Sequence, residues 1–218
     1  MPKHIKSEGF IQLNRRAFLL ASAACIAACS SSNLATLAIL EEAVSINFTS
    51  NPFRLGVASG EPDERSVVIW TRLATEPLQA GGGMPNRNVL VNWFISSTPD
   101  MKNIIKSGQV VAITELSHSV HLEVDNLKSN HQYWYQFSIS GFNSPVGRTR
   151  TMPGPKDKAD KLKFAFASCQ HFEEGFYNAQ RHMAEQNVDL VIFLGDYIYE
   201  EKSRKRKPVR RHKIQHEI

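Results

Sequence analysis

The stretch Leu127-Lys128-Ser129-Asn130-His131-Gln132-Tyr133-Trp134-Tyr135 decides how most of this chain folds. A buried-type Leu, a polar turn and then an aromatic strand is the spacing of a tyrosine corner. There a Tyr hydroxyl near the start of a strand bonds back to upstream backbone. Working outward, Ser66-Val67-Val68-Ile69-Trp70-Thr71-Arg72 is β-branched and aromatic, and Val89, Val91, Trp93 and Ile95 form one apolar face of a second run. Gln109–Ile113, His118–Val124 and His131–Ser140 follow with turn residues between them. Short strands at this spacing predict an all-β sandwich. Gly81-Gly82-Gly83-Met84-Pro85 is expected to be a flexible loop between two of them.

This pattern resembles an immunoglobulin or fibronectin-III module, over residues 46–152. The aromatics Trp70, Trp93, Tyr133, Trp134 and Tyr135 could line a sugar-binding stripe. Core packing and cross-strand pairing explain alternating strand aromatics better, and we take that reading. Met152-Pro153-Gly154-Pro155, followed by a charge run, then marks a domain boundary.

Beyond it the period changes. Leu162 to Ala167 reads as a strand, and Gly175 to Gln186 has helical spacing through Phe176, Ala179 and Met183. Asp189-Leu190-Val191-Ile192-Phe193-Leu194 is a continuous apolar run of the sort found in parallel strands covered on both faces. Strand, helix, strand is one βαβ unit, so residues 161–218 are expected to be the start of an α/β domain, cut short.

Ala167-Ser168-Cys169-Gln170 and Gly195-Asp196-Tyr197-Ile198-Tyr199 each follow one of these strands. In a parallel unit, Cys169 and Asp196 fall just past the carboxyl ends of neighbouring strands and share a crevice, with Tyr199 within reach. Each residue alone fits packing or a turn: a small core thiol, a Gly-Asp turn, a packed phenol. As a spaced set they suit a metal. Thiolate and phenolate are strong anionic donors that stabilise ferric iron over divalent ions, and a carboxylate can bridge two cations.

The net charge of +5 on 218 residues invites a nucleic-acid reading. Residues 201–218 hold eight Lys/Arg and two Glu, a local +6, so the rest of the chain carries −1. No aromatic platform accompanies the run from Lys202 to Lys213, so we expect a solvated loop and no nucleic-acid partner. The first 45 residues read as an export signal and linker. Lys3 and Lys6 precede the twin-arginine pattern Asn14-Arg15-Arg16-Ala17-Phe18-Leu19-Leu20, followed by an apolar stretch to Ala28 that is too short for an ordinary membrane span. Ile26-Ala27-Ala28-Cys29 resembles a lipobox, so Cys29 either carries a lipid anchor or is lost by cleavage; Cys25 also lies in the signal. Cys169 is then the lone thiol of the mature chain, which excludes an internal disulfide. The expected location is exported: periplasmic, cell-surface or secreted. The membrane is involved only through the signal or that lipid, and the twin-arginine export machinery is the expected partner.

Phe166-Ala167-Ser168-Cys169-Gln170 and Val188 through Gly195-Asp196-Tyr197-Ile198-Tyr199-Glu200 resemble the opening of the PhoD-type alkaline phosphatase and phosphodiesterase domain. Gly56-Val57-Ala58-Ser59-Gly60-Glu61-Pro62 and Ser66–Arg72 resemble that family's N-terminal β-domain. The resemblance implies Cys169 and Tyr199 as ligands of Fe3+, with Asp196 bridging to Ca2+. It implies phosphate-ester hydrolysis for phosphate acquisition, with two cations clamping the phosphate and water attacking in line. The family's remaining Asp, Asn and His ligands belong to later segments, so we expect this chain to be truncated and inactive alone. His212 and His216 sit among like charges and are poor substitutes. His171, beside Cys169, is expected to be a partly exposed loop residue. The rival reading is a non-enzymatic secreted β-sandwich binding module, or a gene fragment.

Overall fold

The computed structural model describes residues 46–158, 161–199, 202–204 and 206–211. The signal, Cys25, Cys29, His212 and His216 lie outside them. Two sheets come first. One has the order β1 (Val57–Gly60), β2 (Val67–Arg72), β5 (Ser119–Val124), all antiparallel. The other runs β4 (Ile104–Ala112), β3 (Val89–Ser96), β6 (Gln132–Ile139), with β7 (Phe142–Asn143) and β8 (Gly147–Arg150) both paired to the far edge of β6. This is the expected immunoglobulin/fibronectin-III-like sandwich.

Its core follows from period-2 patterning. Val67, Ile69 and Thr71 of β2, Val89, Val91 and Ile95 of β3, Val120, Leu122 and Val124 of β5, and Tyr133, Tyr135, Phe137 and Ile139 of β6 are buried. Each such aliphatic or aromatic side chain contributes about 1.5–3 kcal/mol by leaving water. The tyrosine corner is present. The Lys128 N–H donates to the Tyr133 hydroxyl at 2.9 Å, and Leu127 is buried beside the core.

The aromatics divide. Tyr133 and Tyr135 are core, whereas Trp70, Trp93 and Trp134 are half-buried and sit in cross-strand pairs opposite His121, Phe137 and Arg148 respectively. Trp93 lies against Gly108, where an added Cβ would stand 2.7 Å from the indole. The Gly81–Gly83 segment is a tight turn: all three glycines take positive φ, and Gly82 N–H donates to Gln79 O at 2.9 Å.

After the boundary come β9 (Phe164–Ala167), helix α1 (Asn178–Glu185) and β10 (Leu190–Phe193), the two strands pairing in parallel with Ala167 opposite Phe193. The βαβ unit is as expected, but the helix starts three residues after Gly175. Tyr177 takes a left-handed conformation ahead of it, which interrupts the helix there. The apolar run 189–194 is not covered on both faces. Val191, Ile192 and Leu194 are exposed, as are Phe164 and Phe166, because among the described residues this sheet has only two strands.

The unit is fastened to the sandwich through β8. Arg150 pairs with Asp189 at 2.9 Å, while Arg148 reaches the Val188 carbonyl at 2.8 Å and the Asn187 side chain. Asp189 also accepts the Lys163 N–H at 3.0 Å, and its own N–H donates to Lys163 O at 2.7 Å. One carboxylate therefore ties the starts of both parallel strands to the sandwich. Among the described residues no helix is long and apolar enough to cross a membrane.

Candidate metal centre

The parallel ladder does not stop at the strand ends. Leu194 N–H donates to Ala167 O, Cys169 N–H to Gly195 O at 3.2 Å, and Gln170 N–H to Asp196 O at 3.2 Å. These three bonds hold the two post-strand loops side by side. Gly195, at φ 139, makes the turn, in a region that side chains other than hydrogen rarely enter.

Cys169 and Asp196 themselves sit at φ 58 and 52. Left-handed backbone at two non-glycine residues costs energy and persists where surrounding structure imposes it, commonly at functional sites. Here it turns both side chains toward each other. The Cys169 Sγ lies 3.3 Å from Asp196 Oδ2, and the Tyr199 hydroxyl donates to the same oxygen at 2.9 Å. The structure thus brings all three sequence-predicted residues together. Cys169 and Asp196 are exposed, and Tyr199 is half-buried.

The donor set fits a hard trivalent cation. The thiol and the phenol both approach one oxygen of Asp196, so three donors that can be anionic stand close enough together to serve one ion. Among the described residues no group of three or more His, Cys, Asp and Glu is arranged for a metal, so the phenol is essential to this set. Hydrogen bonds with Cys169, then with the Asp196 carboxylate, hold the Tyr199 phenol well above its ordinary pKa. Both partners favour the protonated form, and a cation bound among them reverses that preference.

His171 has a closer relation to the site than its sequence position suggests. Its ring lies on that of Tyr199, with centroids 4.9 Å apart, and its Nδ1 accepts the Glu173 N–H at 3.2 Å. It is thus a partly exposed loop residue, as expected, that also packs against the phenol ring. Cys169, Tyr199 and His171 line a cavity of about 790 Å3, with Glu174, the start of α1, Lys202 and Arg204 on its other walls.

The described part of the basic segment is a largely exposed loop, as expected, and it is fastened at two places. Glu173, a carboxylate only 3% exposed, accepts the Ser203 N–H at 2.8 Å, and its carbonyl accepts the Val209 N–H at 2.8 Å. Arg210 lies over the rings of Phe172 and Tyr177 and donates to Phe172 O at 2.8 Å. Its charged tips reach solvent, as expected, but its backbone is held against the loop that follows Cys169.

Comparison with known proteins bears on the family. The profile of the PhoD-like phosphatase N-terminal domain matches residues 39–153, and that of PhoD-like phosphatase matches residues 164–218. Alkaline phosphatase D of Bacillus subtilis (strain 168) is 50% identical over 154 residues, covering 71% of this chain and 26% of that protein. A solved structure of PhoD superposes with a TM-score of 0.72 at 47% identity, covering 77% of this chain and 33% of that one. The chain thus spans about a quarter of the curated relative's length and a third of the solved chain's. It belongs to the PhoD-like phosphatase family.

Proposed function

We propose that this chain carries part of the metal centre of an exported phosphatase of the alkaline phosphatase and phosphodiesterase type, a type that hydrolyses phosphate esters to supply phosphate, and that these residues alone do not turn over substrate. The observation that carries the reading is the convergence of Cys169 Sγ and Tyr199 Oη on one oxygen of Asp196, on the crevice at the carboxyl ends of two parallel strands. In this reading Cys169, Asp196 and Tyr199 would hold Fe3+, and the Asp196 carboxylate would also serve Ca2+. When bound, these ions supply Lewis acidity toward the phosphate oxygens.

The side chains do the rest. Asp196 orients both neighbours through its Oδ2, Tyr199 surrenders a proton when it becomes a ligand, and His171 holds the phenol ring in place. Gly195 and the ladder bonds keep the two loops in register. Export through the twin-arginine route, with release or lipidation at Cys29, would place the product phosphate outside the cytoplasm. Among the described residues three donors gather at this crevice, too few for a multi-metal centre, so these residues alone would hold iron without turning over substrate.

The test is a chromogenic phosphate ester with the purified chain, Fe3+ and Ca2+. Expected is iron retention without hydrolysis above background. Hydrolysis lost in both Cys169→Ala and Asp196→Asn would overturn the inactivity of the isolated chain. Absence of iron binding would overturn the metal-centre reading itself.

A further inference from the structure

We propose that Lys202 and Arg204 form a phosphate-holding rim on the cavity that Cys169 and Tyr199 line, with Ser203 between them as its anchor. For its ligand class, this inference rests on the phosphatase reading above. Its residues are otherwise independent of the metal trio.

The argument starts from the pinning of one residue. Ser203 N–H donates to Glu173 Oε2 and Ser203 Oγ to Glu174 Oε1, both at 2.8 Å. Glu173 is buried, so this anchor is fixed in the protein and not in solvent. Ser203 is half-buried, while its neighbours on either side are exposed and both line the cavity. The arrangement spends the hydroxyl and backbone of the middle residue inward and leaves the two cations on the cavity wall. Arg210, over the rings of Phe172 and Tyr177, fastens the segment a second time.

A lysine and an arginine on one wall make a receptor for a tetrahedral oxyanion. The ammonium acts as a point charge and the guanidinium as a planar fork with five N–H donors, enough to serve an existing partner and a phosphate together. Glu174 also lines the cavity and would repel an anion, but its Oε1 accepts the Ser203 hydroxyl, so it serves the anchor. No side chain caps α1, whose first residues face the same cavity and add the positive end of a helix to it. A cavity of about 790 Å3 exceeds a phosphate ion and leaves room for an ester's leaving group. The basic segment's charge therefore concerns the substrate, which its composition alone did not reveal.

The experiment is calorimetric titration of the purified chain with inorganic phosphate, without metal and again with Fe3+ present. Lys202→Ala and Arg204→Ala should each weaken metal-free phosphate binding about tenfold, as expected for the loss of one charge-assisted contact. Arg206→Ala and Lys207→Ala, exposed residues of the same segment that do not line the cavity, should change it by less than about twofold. Equal weakening by all four substitutions would mean diffuse attraction and overturn the rim. So would phosphate binding unaffected by Lys202→Ala and Arg204→Ala, or its absence from the unaltered chain. Phosphate binding that depends on the rim in a chain that takes up no iron would support the rim while refuting the metal centre.

Discussion

The guanidinium of Arg150, on the last strand of the sandwich, lies 2.9 Å from the carboxylate of Asp189 at the entrance to the second parallel strand. This pair joins the two parts of the molecule, and Asp189 does more of the joining. It also accepts the Lys163 N–H that opens the first parallel strand.

Removing the two partners should therefore have unequal effects. Arg150→Ala is expected to loosen the junction by about 0.5–1 kcal/mol, the worth of a partly exposed pair. Asp189→Ala, which also orphans a backbone donor, should cost about 1–3 kcal/mol. Hydrogen exchange over residues 163–167 and 189–194 reads this, with the sandwich amides as an internal reference; equal effects would contradict the double role of Asp189.

The same carboxylate gives the junction a pH dependence. Its hydrogen bond from Lys163 N–H, and then the charge of Arg150, hold its pKa below the ordinary carboxylate range. A depressed folded-state pKa contributes stability that is present above the unfolded value, about 4, and is lost as the pH falls through the folded one. Junction protection should accordingly decline below about pH 4 and hardly change between about pH 5 and 8. In Asp189→Asn that acid-side decline should shrink.

At the alkaline end Tyr135 governs the sandwich. Burial pushes its phenol up to about 12 from 10.0. The raised value means its contribution is fully present below pH 10.0 and is lost progressively as the pH rises toward about 12. Urea midpoints measured across that range should fall, and should fall less in Tyr135→Phe.

Two substitutions examine the sandwich's closest contacts. Tyr133→Phe removes the acceptor for Lys128 N–H and should cost about 0.5–1.5 kcal/mol without changing the fold. Gly147→Ala places a Cβ 2.2 Å from the Tyr135 ring and should cost about 1–3 kcal/mol through repacking. Chemical denaturation of both variants checks the order.

The sandwich was legible because strands such as β5 and β6 alternate buried and outward residues and its tyrosine corner has a fixed spacing. Val89, Val91 and Ile95 are buried as their odd positions required. The proximity of Cys169, Asp196 and Tyr199 was legible from residue types placed after two apolar runs. What brings them together was not: nothing in the letters Cys and Asp announces a left-handed backbone at Cys169 and Asp196, which tertiary bonding imposes. The basic segment is the exposed loop its composition suggests, but its anchoring was not legible for a similar reason. Charge density says solvent, but its anchor is a buried Glu173 30 residues before Ser203, a pairing that no local pattern encodes. The run 189–194 reads as covered on both faces because composition reports apolarity and not how many strands stand beside it.

The most direct test of the central claim is ferric titration of the purified chain, followed by visible absorption and by bound iron per chain. If Cys169, Asp196 and Tyr199 hold the ion, one equivalent binds and gives a charge-transfer band from phenolate and thiolate. Tyr199→Phe should remove the phenolate component, and Asp196→Asn should abolish stoichiometric binding. A band that survives Tyr199→Phe unchanged, or no ferric binding by the unaltered chain, would contradict the account.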